Sequence, residues 1–143
     1  QIVLSNRLSA VYEASLLNTY RILRTMNTSL YMFYFSGTDV EVAGASPETL
    51  VKLENGILHT FPLAGTRPRG KTDTEDKALA EELLADEKEL AEHNMLVYLG
   101  RNDLGKISRF GTVQVEKMHS IERFSHVMHI GSTVRGEIRC CLR

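Results

Sequence analysis

Cysteine is scarce in this chain, long apolar runs are missing, and the charges nearly cancel; each shortage removes a class of protein. Two of the 143 residues are cysteine, Cys140 and Cys141. They are neighbours, a spacing that suits neither a structural disulfide nor a zinc site. A reducing compartment, the cytoplasm, is expected. No apolar run approaches the roughly 20 residues that a membrane helix needs, and no signal-peptide pattern opens the chain, so no membrane association is expected. A formal net charge of −1 supplies no field for nucleic acid. Internal repeats, low-complexity tracts and interior linkers are missing as well.

What remains is ordinary globular composition, 43% hydrophobic and 24% charged. The length suits one domain with a real core rather than two. The chain opens on Gln1 and stops on RCCLR, which leads us to expect part of a longer protein.

Hydrophobic patterning predicts a strand over Ile2–Leu8, a helix over Ala14–Met26, and strands over Leu30–Phe35 and Val40–Ala45 joined by a turn at Gly37-Thr38-Asp39. Ser46-Pro47-Glu48 reads as a helix start. Val51–Glu54 and Ile57–Leu63 flank Asn55-Gly56, a strong hairpin signal. Ala64–Gly70 reads as a glycine-flanked basic loop that could hold a carboxylate or phosphate, or equally as a surface turn. Thr72-Asp73-Thr74-Glu75 fits a capping box and starts a long helix ending near Gly100, with Arg101–Gly105 as a polar connector. Strand character resumes over Gly111–Val115 and Phe124–Ile138. His126 and His129 would point to opposite faces of such a strand, which disfavours a two-histidine metal clip.

The densest chemistry lies between Asp86 and Leu99, DEKELAEHNMLVYL. On a helix, Glu89, Glu92 and His93 share one face, and Leu90, Met95 and Leu96 would pack on a core. Two carboxylates beside an imidazole could hold a hard cation or exchange protons. The alternative is a solvated acidic face with Glu89 paired to His93.

The runs QIVLSNRL, GASPETL, PLAGTRPRG, DEKELAEHNMLVYLGRNDLGK and IERFSHVMHIGSTVRGEI occur here in one order. In that order they resemble the chorismate-utilising enzymes, and among them the large subunits (component I) of anthranilate synthases. The resemblance implies an α+β fold, part of an α/β sandwich of mostly antiparallel sheets flanked by helices, with one long helix carrying the acidic site. It implies Mg²⁺-dependent amination of chorismate at C2, loss of the 4-hydroxyl and elimination of pyruvate. Ammonia and chorismate would be the substrates, and a glutamine amidotransferase subunit (component II) the partner. By motif position, Glu92 would hold Mg²⁺, with Glu89 beside it. Glu48 would protonate the departing hydroxyl, Gly65 and Thr66 would line the substrate pocket, and His129 would sit by the reacting ring. Tyr31 and Met32 fall where the family binds tryptophan, although Thr28 and Leu30 replace that motif's two prolines and Tyr98 replaces a usual aspartate.

The matching motifs belong to the first half of the family's catalytic domain. Residues 1–143 are therefore expected to form a partial domain with no second one, inactive alone and prone to self-association. Aminodeoxychorismate synthases and a non-catalytic binding module are the alternatives. Gln1 and Ala64 stand where relatives place lysines that activate water or attack the substrate, which favours ammonia as the nucleophile. After the intact enzyme is incubated with chorismate and ammonia, the mass of the part formed by this chain should therefore be unchanged. A chorismate-derived adduct detected by mass spectrometry would contradict that.

Overall fold

A computed structural model describes residues 5–26 and 29–139. The contacts divide the chain into two compact units, Gln1–Pro47 and Glu48–Arg143. The fold is α+β, and every strand pairing among the described residues is antiparallel.

In the first unit, α1 (Leu16–Met26) precedes the hairpin of β1 (Tyr31–Ser36) and β2 (Glu41–Ser46). The hairpin closes where Gly37 N–H donates to the Val40 carbonyl at 2.9 Å. Tyr20 of α1 and Tyr34 of β1 bring their rings within 6.0 Å. Ser5–Leu8 is irregular rather than strand, and Ile2–Leu4 lie outside the described residues, as do Gln1, Asn27, Thr28, Cys140 and Cys141. Ser46 starts no helix. Its backbone is already committed to the ladder opposite Tyr31, and residues 47–51 cross without regular structure to the next strand.

The second unit contains β3 (Lys52–Glu54), β4 (Ile57–Thr60), β5 (Leu63–Pro68), α2 (Asp73–Ala85), α3 (Glu87–Ile107), β6 (Gln114–Arg123) and β7 (Val127–Glu137). Asn55 and Gly56 have φ of 51° and 80°, the left-handed pair a tight hairpin turn requires. β7 is the centre of the sheet. β6 runs along one edge, while β4 and β5 share the other, pairing with Val134–Glu137 and Val127–Gly131 respectively. The segment expected as one strand, Ile57–Leu63, thus breaks at Phe61-Pro62. The expected basic loop is largely β5.

Along β7 the side chains alternate, as a pleated strand demands. Met128, Ile130, Ser132 and Val134 are buried under the helices, and His129, Thr133 and Arg135 point to the other face. Leu58, Val97, Leu104 and Val134 form one core cluster. Ala80, Leu83, Met128 and Ile130 form another, with Leu90 against it.

The expected long helix is two helices. The Asp86 carboxylate caps α3 by accepting from the N–H groups of Lys88 and Glu89, and its backbone leaves the helical region at ψ 104°. At the other end α3 runs past Gly100 to Ile107. A Cβ at residue 100 would lie 2.9 Å from Thr60 Cγ2, so this glycine permits close helix–sheet approach and ends nothing. His93, Val97, Gly100 and Leu104 make the stripe that faces the sheet, whereas Met95 is 37% exposed.

Leu83 is fully buried between α2 and β7. Leu83→Ala should cost about 3 kcal/mol through lost transfer energy and an unfilled cavity, read as a lowered denaturant midpoint.

Candidate functional site

Four of the sequence-predicted residues, Gly65, Thr66, Glu89 and His129, gather around one irregularity. Between Ala64 and Thr66 the β5–β7 register shifts, and Gly65 takes φ +73°. A side chain there would meet Ile130 Cδ1 and Leu83 Cδ1 at 3.2 Å and Glu89 Oε2 at 3.3 Å. Glycine is required twice, for its backbone and for its bareness. The bulge turns the Gly65 carbonyl toward His129, whose Nδ1 lies 2.9 Å from that oxygen and 3.0 Å from Thr66 Oγ1. A carbonyl can only accept, so Nδ1 carries the proton and Nε2 is left as a base. Phe124 braces the imidazole edge-on, with centroids 5.5 Å apart. Gly65 therefore has Glu89 on its helix side, while His129 and Thr66 occupy the open face of the sheet.

Glu89 is 18% exposed at its side chain, with Lys88 Nζ at 4.0 Å. Glu92 stands one turn further along α3, half-buried. Two carboxylates on consecutive turns fit part of a magnesium shell in kind, since Mg²⁺ takes one or two carboxylates and completes its octahedron with water and substrate oxygens. No group of three or more candidate metal ligands occurs among the described residues. Glu48 is exposed in the segment before β3, and Tyr31 and Met32 lie on β1 in the first unit.

The arginines of the expected anion loop are internal ties. Arg67 binds Glu82 and Asp86, each at 3.0 Å. Arg69 and Arg123 grip the two oxygens of buried Asp76 at 2.7 and 2.9 Å, Arg69 Nη2 reaches Oδ2 as well at 3.4 Å, and Gly70 N–H adds a fourth bond. With Arg69 foremost, these partners hold the Asp76 carboxyl far below the usual carboxylate range. The Glu89 N–H, and after it Arg67, lower Asp86 likewise.

His93 departs from the expected pairing with Glu89. Its side chain is fully buried, and Nε2 lies 2.7 Å from Ser132 Oγ on β7. Ser132 Oγ also accepts from His119 N–H at 3.1 Å, and His119 has φ 53° and stacks edge-on to His93. His93 Nδ1 has no hydrogen-bond partner among the described residues. This cluster escaped sequence reasoning. Its only signal was His93 falling four residues before Val97 on the apolar stripe.

The sequence matches the family of chorismate binding enzymes over residues 1–141, and the chain belongs to that family. It is 55% identical to anthranilate synthase component 1 of Acetivibrio thermocellus over 97% of this chain and 28% of that protein. Against the component 1 of Streptomyces coelicolor the identity is 57%, over 96% of this chain and 27% of the relative. The crystal structure of anthranilate synthase component I from Streptococcus pneumoniae superposes with a TM-score of 0.77 at 46% identity, covering 90% of this chain and 28% of that one. The chain thus spans a little over a quarter of the length of these relatives. No described helix is long and apolar enough to cross a membrane.

Burial pushes the His93 pKa down from 6.5 to about 4, with the neighbouring His119 charge adding to it. The folded protein resists a proton that the unfolded chain takes up. Stability is therefore full above about pH 6.5 and falls as pH drops toward 4, by at most about 3 kcal/mol. The contributions of Asp76 and Asp86 are lost lower, below their ordinary 3.8. Denaturant midpoints of wild type should decline across that window, and those of His93→Gln should stay nearly level.

Proposed function

We propose that residues 1–143 form part of the catalytic domain of an anthranilate synthase large subunit, and that the protein carrying this chain converts chorismate and ammonia to anthranilate, pyruvate and water. The observation that carries this reading is the Gly65 bulge, with His129 and Thr66 on the open face of the sheet and the Glu89 carboxylate packed on its helix side, in a chain of the chorismate binding family. The names of the similar proteins support the same choice within that family.

In this reading Glu92, with Glu89 one turn earlier, holds Mg²⁺. Bound there, the metal would offset the negative charge of a substrate carboxylate. Gly65 and Thr66 line the substrate pocket. Glu48 delivers a proton to the 4-hydroxyl as its C–O bond breaks and ammonia adds at C2, because hydroxide leaves poorly. His129 presents Nε2 as the base. It takes the C2 proton as the bond to the enolpyruvyl oxygen breaks and the ring becomes aromatic, and the released enolpyruvate takes up a proton at its methylene carbon and departs as pyruvate. The bond from Nδ1 to the Gly65 carbonyl keeps the imidazole in the tautomer this step needs. Ammonia comes from a glutamine amidotransferase subunit, the enzyme works in the cytoplasm, and Tyr31 and Met32 contribute to tryptophan feedback.

Glu92→Gln should leave the fold intact and lower kcat/KM for anthranilate formation at least about 100-fold, since one charge is lost where charge must be balanced. Anthranilate fluorescence with excess ammonia reads this directly. Near-normal turnover at saturating Mg²⁺ would remove Glu92 from the site.

A further inference from the structure

The position of Glu89 depends on more than its own helix. We propose that Arg67 and Asp86 are positioning residues that lock Glu89 to the strand holding His129. The proposal rests on the reading of Glu89 as a site acid.

One guanidinium makes three bonds here. Arg67 Nε donates to Glu82 Oε1, Nη1 to the Thr66 carbonyl, and Nη2 to Asp86 Oδ2, each at 3.0 Å. The other Asp86 oxygen accepts from Glu89 N–H at 3.2 Å and from Lys88 N–H at 3.0 Å. Thr66, whose carbonyl Arg67 binds, contacts the His129 ring through its hydroxyl. An unbroken chain of hydrogen bonds therefore runs from His129 through Thr66, Arg67 and Asp86 to the backbone of Glu89.

Asp86 is also where α2 stops and α3 starts, its own N–H turning back to the Leu83 carbonyl at 3.4 Å. The first turn of α3 has no covalent reason to keep one angle to β5. The Arg67–Asp86 pair supplies that reason, and at 21% and 31% side-chain exposure it is partly shielded from competing water. Glu82 is 62% exposed and, among the described residues, makes no hydrogen bond or ion pair to α3, so its own pair with Arg67 adds charge without setting this angle.

The test uses the whole protein that carries this chain, with Arg67→Gln, Asp86→Ser, the double variant, and Glu82→Gln as control. Serine keeps a capping oxygen and discards the charge that Arg67 binds. Deuterium exchange of metal-free protein should quicken in the peptide containing Lys88 and Glu89 in both single variants and not in the rest of α3. Calorimetric Mg²⁺ affinity should fall about tenfold in each, the usual effect of losing a partner that orients a ligand. The double variant should be no worse than either single, because the link can be broken only once, and Glu82→Gln should match wild type. Unchanged exchange, or losses that multiply in the double variant, would overturn the proposal. Faster exchange with unchanged Mg²⁺ affinity would also overturn it, provided Glu89→Gln weakens binding. If Glu89→Gln itself binds Mg²⁺ as wild type does, the assignment of Glu89 falls instead.

Discussion

β7 is laddered on both edges and buried on one face, and Gly65, Thr66 and His129 take their positions on or beside that strand. Its hydrogen bonds reach β6 on one side and the β4–β5 pair on the other. Its even-numbered residues from Met128 to Val134 lie beneath α2 and α3. A slip of one residue would send Met128 and Ile130 into the open and His129 into the core. Burial of those side chains therefore fixes where the imidazole points, as well as how stable the sheet is.

β5 can follow β7 only by breaking step. The bulge at Gly65 absorbs the shift, and the space left by its missing side chain is filled from one side by Leu83, Ile130 and the Glu89 carboxylate. From the other side its carbonyl orients His129. Tight packing and chemistry share one residue here, so a larger side chain would disturb the core and the imidazole together.

Charges bind the helices to this sheet. Asp76 near the start of α2 and Asp86 before α3 each bring a carboxylate to helix N–H groups or turn amides and to an arginine from the β5 segment. Such partly shielded pairs are useful for direction more than for net stability, since desolvation offsets much of the attraction. They also explain why the PLAGTRPRG segment looked like an anion cradle. Its guanidiniums face carboxylates two helices supply from later in the chain. His93 makes a further tie, from α3 to Ser132 of β7, by burying an imidazole whose neutral form the core requires.

Much of this was legible in the residue order. Alternation and turn chemistry located both hairpins, because side-chain period and the left-handed Asn55-Gly56 pair are local properties. The capping signal at Thr72 held, with Glu75 N–H donating to its hydroxyl. The motif resemblance placed the chain in its family and pointed to Gly65, Thr66, Glu89 and His129, which the fold brings together at the bulge. Other features depended on partners far away in sequence. Gly100 reads as a helix end until Thr60 is seen to need its bareness. Ser46-Pro47 reads as a cap until Tyr31 claims the Ser46 backbone. His93 reads as a surface partner of Glu89 until Ser132, thirty-nine residues on, takes it into the core. The sequence by itself determined the local conformations and the family, because propensity, period and motif are written in neighbouring residues. Only the tertiary structure decided which polar groups are buried and what each one binds, because those free energies belong to pairs that meet only when the sheet closes.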